Sequence, residues 1–225
     1  MTKYTIVLVL ILLVPQMSLG ELYKFRDQNG TLHFVDSLEK IPLEYREKKE
    51  FKSYRDSASS GSSSKAILKG KSFQEILELA QRGNVVAQSN IGYRYITGSG
   101  VRRNPQEAVK WLTKAVEQGD IEALVNLGLI YKNADGVSRD RAKAQNYFLT
   151  AAEQGNTRAQ SLLGAMLGDQ DKPKEAYPWL LEAANNGDPD AMANLGRMYA
   201  AGHGVSRDIE EAQRWEKMAR EARRR

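Results

Sequence analysis

From residue 84 onward, small and apolar residues return as two alternating helical stripes. Ala87, Ile91 and Tyr95 fall at i, i+4 and i+8, one face of a helix. Beyond a glycine-containing loop, Ala108, Trp111, Leu112, Ala115 and Val116 form a second stripe at i, i+3, i+4, i+7 and i+8. That stripe recurs as Ala144, Tyr147, Phe148, Ala151, Ala152 and again as Ala176, Trp179, Leu180, Ala183, Ala184. Each copy sets small alanines around a large aromatic, a combination suited to close antiparallel helix pairs. The pattern predicts a two-helix module repeated along the chain.

The segments between the stripes repeat as well. NIGYRYITGSGV (90–101) returns as NLGLIYKNADGV (126–137) and NLGRMYAAGHGV (194–205), with a shorter LLGAML at 162–167. The marker glycines Gly92, Gly128, Gly164 and Gly196 are spaced 36, 36 and 32 residues apart, each beside the first-helix face, where a missing side chain lets a helix approach. Gly83, Gly119, Gly155 and Gly187 stand where a left-handed residue ends a second helix. Asn84, Asp120, Asn156 and Asp188 follow as N-caps, with Pro189 at a first helical position. Asn104, Asp140 and Asp208 cap the second helices, and Val101, Val137 and Val205 are apolar pegs for the loops. A glycine-rich stretch entering a helix, as in GSGVRRNPQEAVKWL (98–112), is also the form of a phosphate cradle. Its recurrence, and the lack of a Gly-Lys-Ser/Thr ending, favour a turn between helices.

The copies depart from the pattern in informative places. GDQDKPKEA replaces the Gly-x-Gly-Val segment in the third copy, which is four residues shorter, and Leu167 stands where the others have tyrosine. A tighter turn and a local change in curvature are expected there. SFQEILELAQRG (72–83) aligns with a second helix but puts Glu75 in the place of Trp111, and Glu216 and Arg220 replace apolar residues of the last stripe. Terminal units of a stacked array need polar outer faces. Residues 72–83 therefore read as an N-terminal cap and 208–222 as a C-terminal cap, around repeats at about 84–119, 120–155, 156–187 and 188–225. On this reading Trp179→Ala, at an interior unit, costs more than Trp215→Ala in the cap.

The recurring order A-x-x-x-L-G-x-x-Y-x-x-G-x-G-V-x-x-[DN]-x-x-x-A-x-x-[WYF]-x-x-x-A-A-x-x-G resembles the Sel1-like repeat over residues 72–225. The resemblance implies a mainly α fold: an α-solenoid of helix-turn-helix repeats related to the tetratricopeptide class.

Ahead of the repeats the composition changes. MTKYTIVLVLILLVPQMSLG has one lysine, an apolar run from Tyr4 to Val14, Pro15, and small residues at Ser18 and Gly20. This is the layout of a secretory signal peptide over residues 1–20, with cleavage expected after Gly20 and an uncleaved anchor as the alternative. The run is shorter than the roughly twenty residues that span a bilayer. LYKFR and TLHFV alternate around DQNG, a hairpin signal, and IPLEYREKKEF reads as a short helix, so 21–51 forms a small module. Asp-x-Asn-Gly lacks the remaining ligands of a calcium loop. Tyr23, Phe25, Asp27, Gly30, His33, Phe34 and Asp36 resemble a small domain of unknown function found after the signal peptide of secreted or periplasmic bacterial proteins. Residues 52–71, with SASSGSSSK, have the composition of a flexible linker.

Composition then narrows the chemistry. The 225 residues contain no cysteine and two histidines, His33 and His203, so thiolate sites are excluded and imidazole chemistry nearly so. The net charge is +5, part of it in the final REARRR, which suits a helix C-terminus and its dipole. No cofactor is called for, and an exported chain points away from nucleic acid. The core stripes account for themselves, so the informative residues lie between them. Tyr93, Leu129 and Arg197 are expected to face a groove, with Ala165 and Asn133 nearby. Such a trail suits a peptide or protein partner, because Tyr and Arg are favoured hot-spot residues. Asn90, Asn126 and Asn194 recur in step and are expected to hydrogen-bond a neighbouring backbone. The function that follows is an exported, periplasmic or secreted, scaffold that binds a protein segment and is not an enzyme. Two alternatives are a cell-envelope enzyme of β-lactam-hydrolase type, implied by cysteine-rich members of the Sel1-like group, and a basic surface protein attached to envelope components. The first lacks its cysteines here, and no serine–lysine or metal-ligand set replaces them.

Overall fold

The computed structural model describes residues 23–26, 32–35 and 68–224. The chain divides into two units, residues 1–51 and 52–225. In the first, β1 (Tyr23–Arg26) and β2 (Leu32–Val35) pair antiparallel, with Tyr23 opposite Val35 and Arg26 opposite Leu32. The expected leader, the expected turn and short helix of the small module, and the serine-rich segment lie outside the described residues.

Among its described residues the second unit is a succession of α-helices. They are α1 (Phe73–Gln81), α2 (Val85–Thr97), α3 (Pro105–Glu117), α4 (Ile121–Asn133), α5 (Arg141–Glu153), α6 (Thr157–Asp169), α7 (Pro173–Asn185), α8 (Pro189–Ala201) and α9 (Ile209–Ala222). Each packs on the next, and α2 also touches α4 while α6 touches α8, so first helices of neighbouring repeats lie side by side. The arrangement is the helical repeat solenoid expected from the two stripes.

Helix length is set at both ends by short-range chemistry. Every helix from α2 to α8 has 13 residues. Gly83, Gly119, Gly155 and Gly187 end the second helices with φ between 82° and 91°, a region closed to most side chains. Oδ1 of Asn84, Asp120 and Asn156 accepts from the N–H of Ala87, Ala123 and Ala159 at 2.8–2.9 Å, satisfying donors that a helix start leaves free.

Within each repeat one backbone bond closes the loop. The N–H of Asn104, Asp140 and Asp208 donates to the carbonyl of Tyr95, Tyr131 and Tyr199 at 2.9, 3.1 and 2.9 Å. In the third repeat the N–H of Lys172 makes the same bond to Leu167, at 3.0 Å. The missing residues are thus taken from the loop while its closing backbone bond is kept. The tighter turn is made by Asp171 at φ 57°, Lys172 gives no side-chain cap, and Pro173 starts α7.

The marker glycines sit at the helix crossings. A methyl group at Gly92 would lie 2.6 Å from Leu112 Cγ, at Gly128 2.5 Å from Phe148 Cε1, and at Gly164 2.5 Å from Leu180 Cγ. These are below any real contact distance, so the pairs α2–α3, α4–α5 and α6–α7 pack at a spacing only glycine permits. At Gly196 the nearest atom is Cγ of Glu216, at 3.0 Å, because the last stripe is polar there.

Burial departs from the expected stripes in two ways. Trp111, Val116 and Tyr147 are half-buried, while the alanines with Leu112 and Phe148 are fully enclosed. Trp215 is 1% exposed, against 4% for Trp179, so the tryptophan of the cap helix is as enclosed as the interior one, which removes the physical ground for expecting a smaller cost there. In α9 it is Glu216 and Arg220 that face solvent, while Ala212, Trp215 and Ala219 close the core.

Candidate functional site

The residue after each marker glycine occupies one equivalent position on every first helix. Those residues are Tyr93 on α2, Leu129 on α4, Ala165 on α6 and Arg197 on α8. The glycine faces the second helix of its own repeat, so the next residue turns about 100° away from that contact. Tyr93 is 51% exposed, Arg197 is exposed, and Leu129 and Ala165 are half-buried. Asn133, one turn beyond Leu129, is exposed at the end of α4. Tyr93 is conspicuous, since no core demand explains an exposed aromatic between buried Gly92 and half-buried Arg94.

The asparagine row beside these positions behaves differently from expectation. Asn90 Oδ1 accepts from Arg94 Nε at 2.9 Å, and Asn194 Oδ1 accepts from Arg197. The partners are arginine side chains one turn along the same helix, not a neighbouring backbone. These bonds lay the guanidinium groups along the helix surface.

Polar ties within and between repeats were not legible in advance. Gln118 Nε2 donates to buried Gln88 Oε1 at 2.7 Å, while Gln88 Nε2 donates to the Ala80 carbonyl at 3.1 Å. Gln160, the counterpart of Gln88, donates to the Ala152 carbonyl at 3.2 Å. Asn156 Nδ2 reaches Glu122 at 2.9 Å, and the Ser161 hydroxyl donates to Asp188 at 2.9 Å. The recurrence of glutamine at positions 88 and 160 was the available signal. At the N-terminal end, Ser72 and Glu75 form a reciprocal cap, with Ser72 N–H donating to Glu75 at 2.7 Å. That bond first, and the Ser72 hydroxyl after it, hold the Glu75 carboxyl below its ordinary value.

The C-terminal cations have local roles. Arg220 lies in the last turn of α9, and Arg223 donates to Asp190 at 2.8 Å. His203 is exposed in its loop. Among the described residues, no three His, Asp or Glu side chains gather as a metal site, and no helix is long and apolar enough to cross a membrane. A cleft of about 210 Å³ opens at the end of α4, where Asn133 joins Lys132, Arg139, Arg141 and Asp169.

Two-helix repeats stacked in chain order and drawn together at glycine crossings define an α-solenoid repeat protein. Residues 85–120, 121–156, 157–188 and 189–222 each match the Sel1 repeat, and the chain belongs to the Sel1 repeat family. Two solved structures are similar in sequence as well as fold. A Sel1 repeat protein from Oxalobacter formigenes is 31% identical, with TM-score 0.62, over 66% of this chain and 61% of its own. A protective antigen of uropathogenic Escherichia coli with an SLR fold is 30% identical, with TM-score 0.65, over 74% of this chain and 39% of its own. The chain thus spans less than two thirds of either relative. A putative Sel1 repeat protein from Klebsiella pneumoniae, 23% identical with TM-score 0.52 over 68% of this chain and 76% of its own, shares the fold. Among curated proteins none matches the sequence. Sel1 repeat proteins are generally scaffolds for protein interaction, and their fold is typically non-catalytic.

Proposed function

We propose that this protein is an exported scaffold, periplasmic or secreted, that holds a peptide or protein segment against the row of first helices. The observation that carries the reading is Tyr93, a large aromatic 51% exposed where packing has no use for it. Leu129, Ala165 and Arg197 continue the row with apolar surface and then a cation, and Asn133 adds an amide. A segment laid across the row meets an aromatic anchor at one end and a guanidinium at the other, the pairing that dominates binding at many interfaces. The leader at residues 1–20 supports export.

The test is photocrosslinking in cells from a photoreactive residue at position 93 or 129, with Lys110, exposed on a second helix, as control. The reading expects one discrete adduct from 93 and 129, recovered with the exported fraction, and none from 110. Adducts that are the same from all three positions, or absent from 93 and 129, contradict it.

A further inference from the structure

At the first repeat junction, the loop of one repeat seats on the second helix of the repeat before it. Asp135, in the second loop, pairs with Arg103, which immediately precedes the Asn104 cap of α3. Gln106 Nε2 donates to the Gly136 carbonyl at 2.6 Å, and a methyl group at Gly136 would stand 2.6 Å from Pro105 Cβ. The fourth loop approaches as closely, since a methyl group at Gly204 would stand 2.8 Å from the Pro173 carbonyl carbon, though His203 takes the place of the aspartate.

The middle junction lacks the carboxylate and glycine contacts; there the shortened loop meets α5 through Gln170, whose Nε2 donates to Gln145 Oε1 at 3.0 Å. The counterpart of Arg103 is Arg139, immediately before the Asp140 cap of α5, and the loop that would reach it is the one shortened to residues 170–172. In the alignment of repeats, the residues deleted are the counterparts of 135–138, including the carboxylate and the glycine that make the seat. What remains is the cleft of about 210 Å³ at the end of α4. Arg139 and Arg141 are exposed there and Lys132 half-exposed, and none has an ion-pair partner among the described residues. Asp169 is the lone carboxylate on the rim, so cations outnumber it three to one.

We propose that this vacated loop seat docks an aspartate or glutamate side chain of a partner protein segment, with Arg139 as its principal contact and Arg141 and Lys132 beside it. The chain itself displays the template, since Asp135 on Arg103 is such a carboxylate delivered by a short turn into the equivalent seat. A planar guanidinium takes a carboxylate in a fixed geometry. The excess of cations disfavours a neutral or basic segment. This site lies on the loop edge of the array, not on the Tyr93 row, and shares only Asn133 with it.

The probe is the missing loop itself, the capped peptide Asn-Ala-Asp-Gly-Val-Ser copied from residues 133–138, added to the full chain. The readout is the NMR side-chain Nε–H signals of Arg139 and Arg141. Saturable shifts in the millimolar range are expected, weakened about fivefold when the peptide carries Asn for Asp. Arg139→Gln is expected to abolish the shifts without changing the thermal midpoint. Inserting Asp-Gly-Val-Ser between Gln170 and Asp171 rebuilds the loop in cis and is expected to block the peptide; if that variant does not fold, Arg139→Gln carries the test. Equal shifts from the Asp and Asn peptides, shifts that survive Arg139→Gln, or no shifts at all overturn the proposal. Inorganic phosphate saturating the same signals more tightly than the peptide also overturns it, in favour of a small-anion site. Each result is independent of crosslinking at position 93, so this proposal and the groove reading fail separately.

Discussion

Asp120 serves two neighbours at once. Its carboxylate caps α4 through the Ala123 N–H at 2.8 Å and also meets Ser89 of the preceding repeat. Burial, the largest influence, pushes its carboxyl above the ordinary value; the hydrogen bonds to Ala123, Ser89 and the Glu122 backbone offset part of that, and the Glu122 charge adds to it. A raised folded value means that the native state holds the proton more tightly than the unfolded chain. The carboxyl therefore favours the fold below its unfolded value and loses that contribution as pH rises through the folded value. Asn84 and Asn156 already cap the flanking repeats. Asp120→Asn is thus expected to match the native protein in thermal midpoint near pH 3 and to exceed it near pH 7, while Asp120→Ala loses about 1 kcal/mol with the cap. Melting curves across that range check it; a gain for Asn that shrinks as pH rises contradicts it. The capping role was readable from sequence, because Asn or Asp recurs at each junction. The burial was not, since it depends on a serine 31 residues earlier that the second and fourth copies do not repeat.

Single helices show how far periodicity carries. The stripe positions locate the second helices, and the recurrent glycine and cap residues fix their ends. Depth within the stack is less legible, because a stripe position faces its own partner helix or the next repeat, and only three-dimensional packing decides which. Trp111 and Tyr147 ended half-buried for that reason, and Trp215 wholly enclosed although its helix is a cap with a polar outer face. An end helix has one solvated side, but its inner side is as deep as any other. Trp215→Ala is accordingly expected to cost about 3–5 kcal/mol, matching Trp179→Ala. Denaturant titrations of the two variants check this, and a loss below about 1 kcal/mol at Trp215 alone would restore the peripheral role that its position in the chain implied.

For the whole array, the sequence exposes what must repeat and hides what must not. Left-handed helix ends and caps recur four times and tight glycine crossings three times, so they stand out against a period of 36 residues, 32 across the shortened copy. Binding residues meet a demand set by another molecule. Tyr93, Leu129, Ala165 and Arg197 share a position but no chemistry, so their place could be inferred while their partner could not. The vacated loop seat was hidden differently. Its first clue, the deletion in the third copy, is visible in sequence, but its meaning needs the Arg103–Asp135 contact, which joins residues 32 apart.

The account rests on stacked helix pairs drawn together at their glycine crossings. A methyl group at Gly128 meets the enclosed Phe148 ring at 2.5 Å, whereas one at Gly196 meets the exposed, flexible Glu216 side chain at 3.0 Å and the Ala212 carbonyl at 3.2 Å, contacts that a shift of a few tenths of an ångström relieves. Overpacking against a ring that cannot move costs about 1–3 kcal/mol, whereas alanine in place of glycine inside a helix otherwise gains about 1 kcal/mol. The most direct measurement is the thermal midpoint, followed by circular dichroism at 222 nm (the helical band), of Gly128→Ala and Gly196→Ala beside the native chain. The packing predicts a clear fall for Gly128→Ala and little change or a slight rise for Gly196→Ala. Equal midpoints for the two variants, or a greater fall at Gly196, would contradict it.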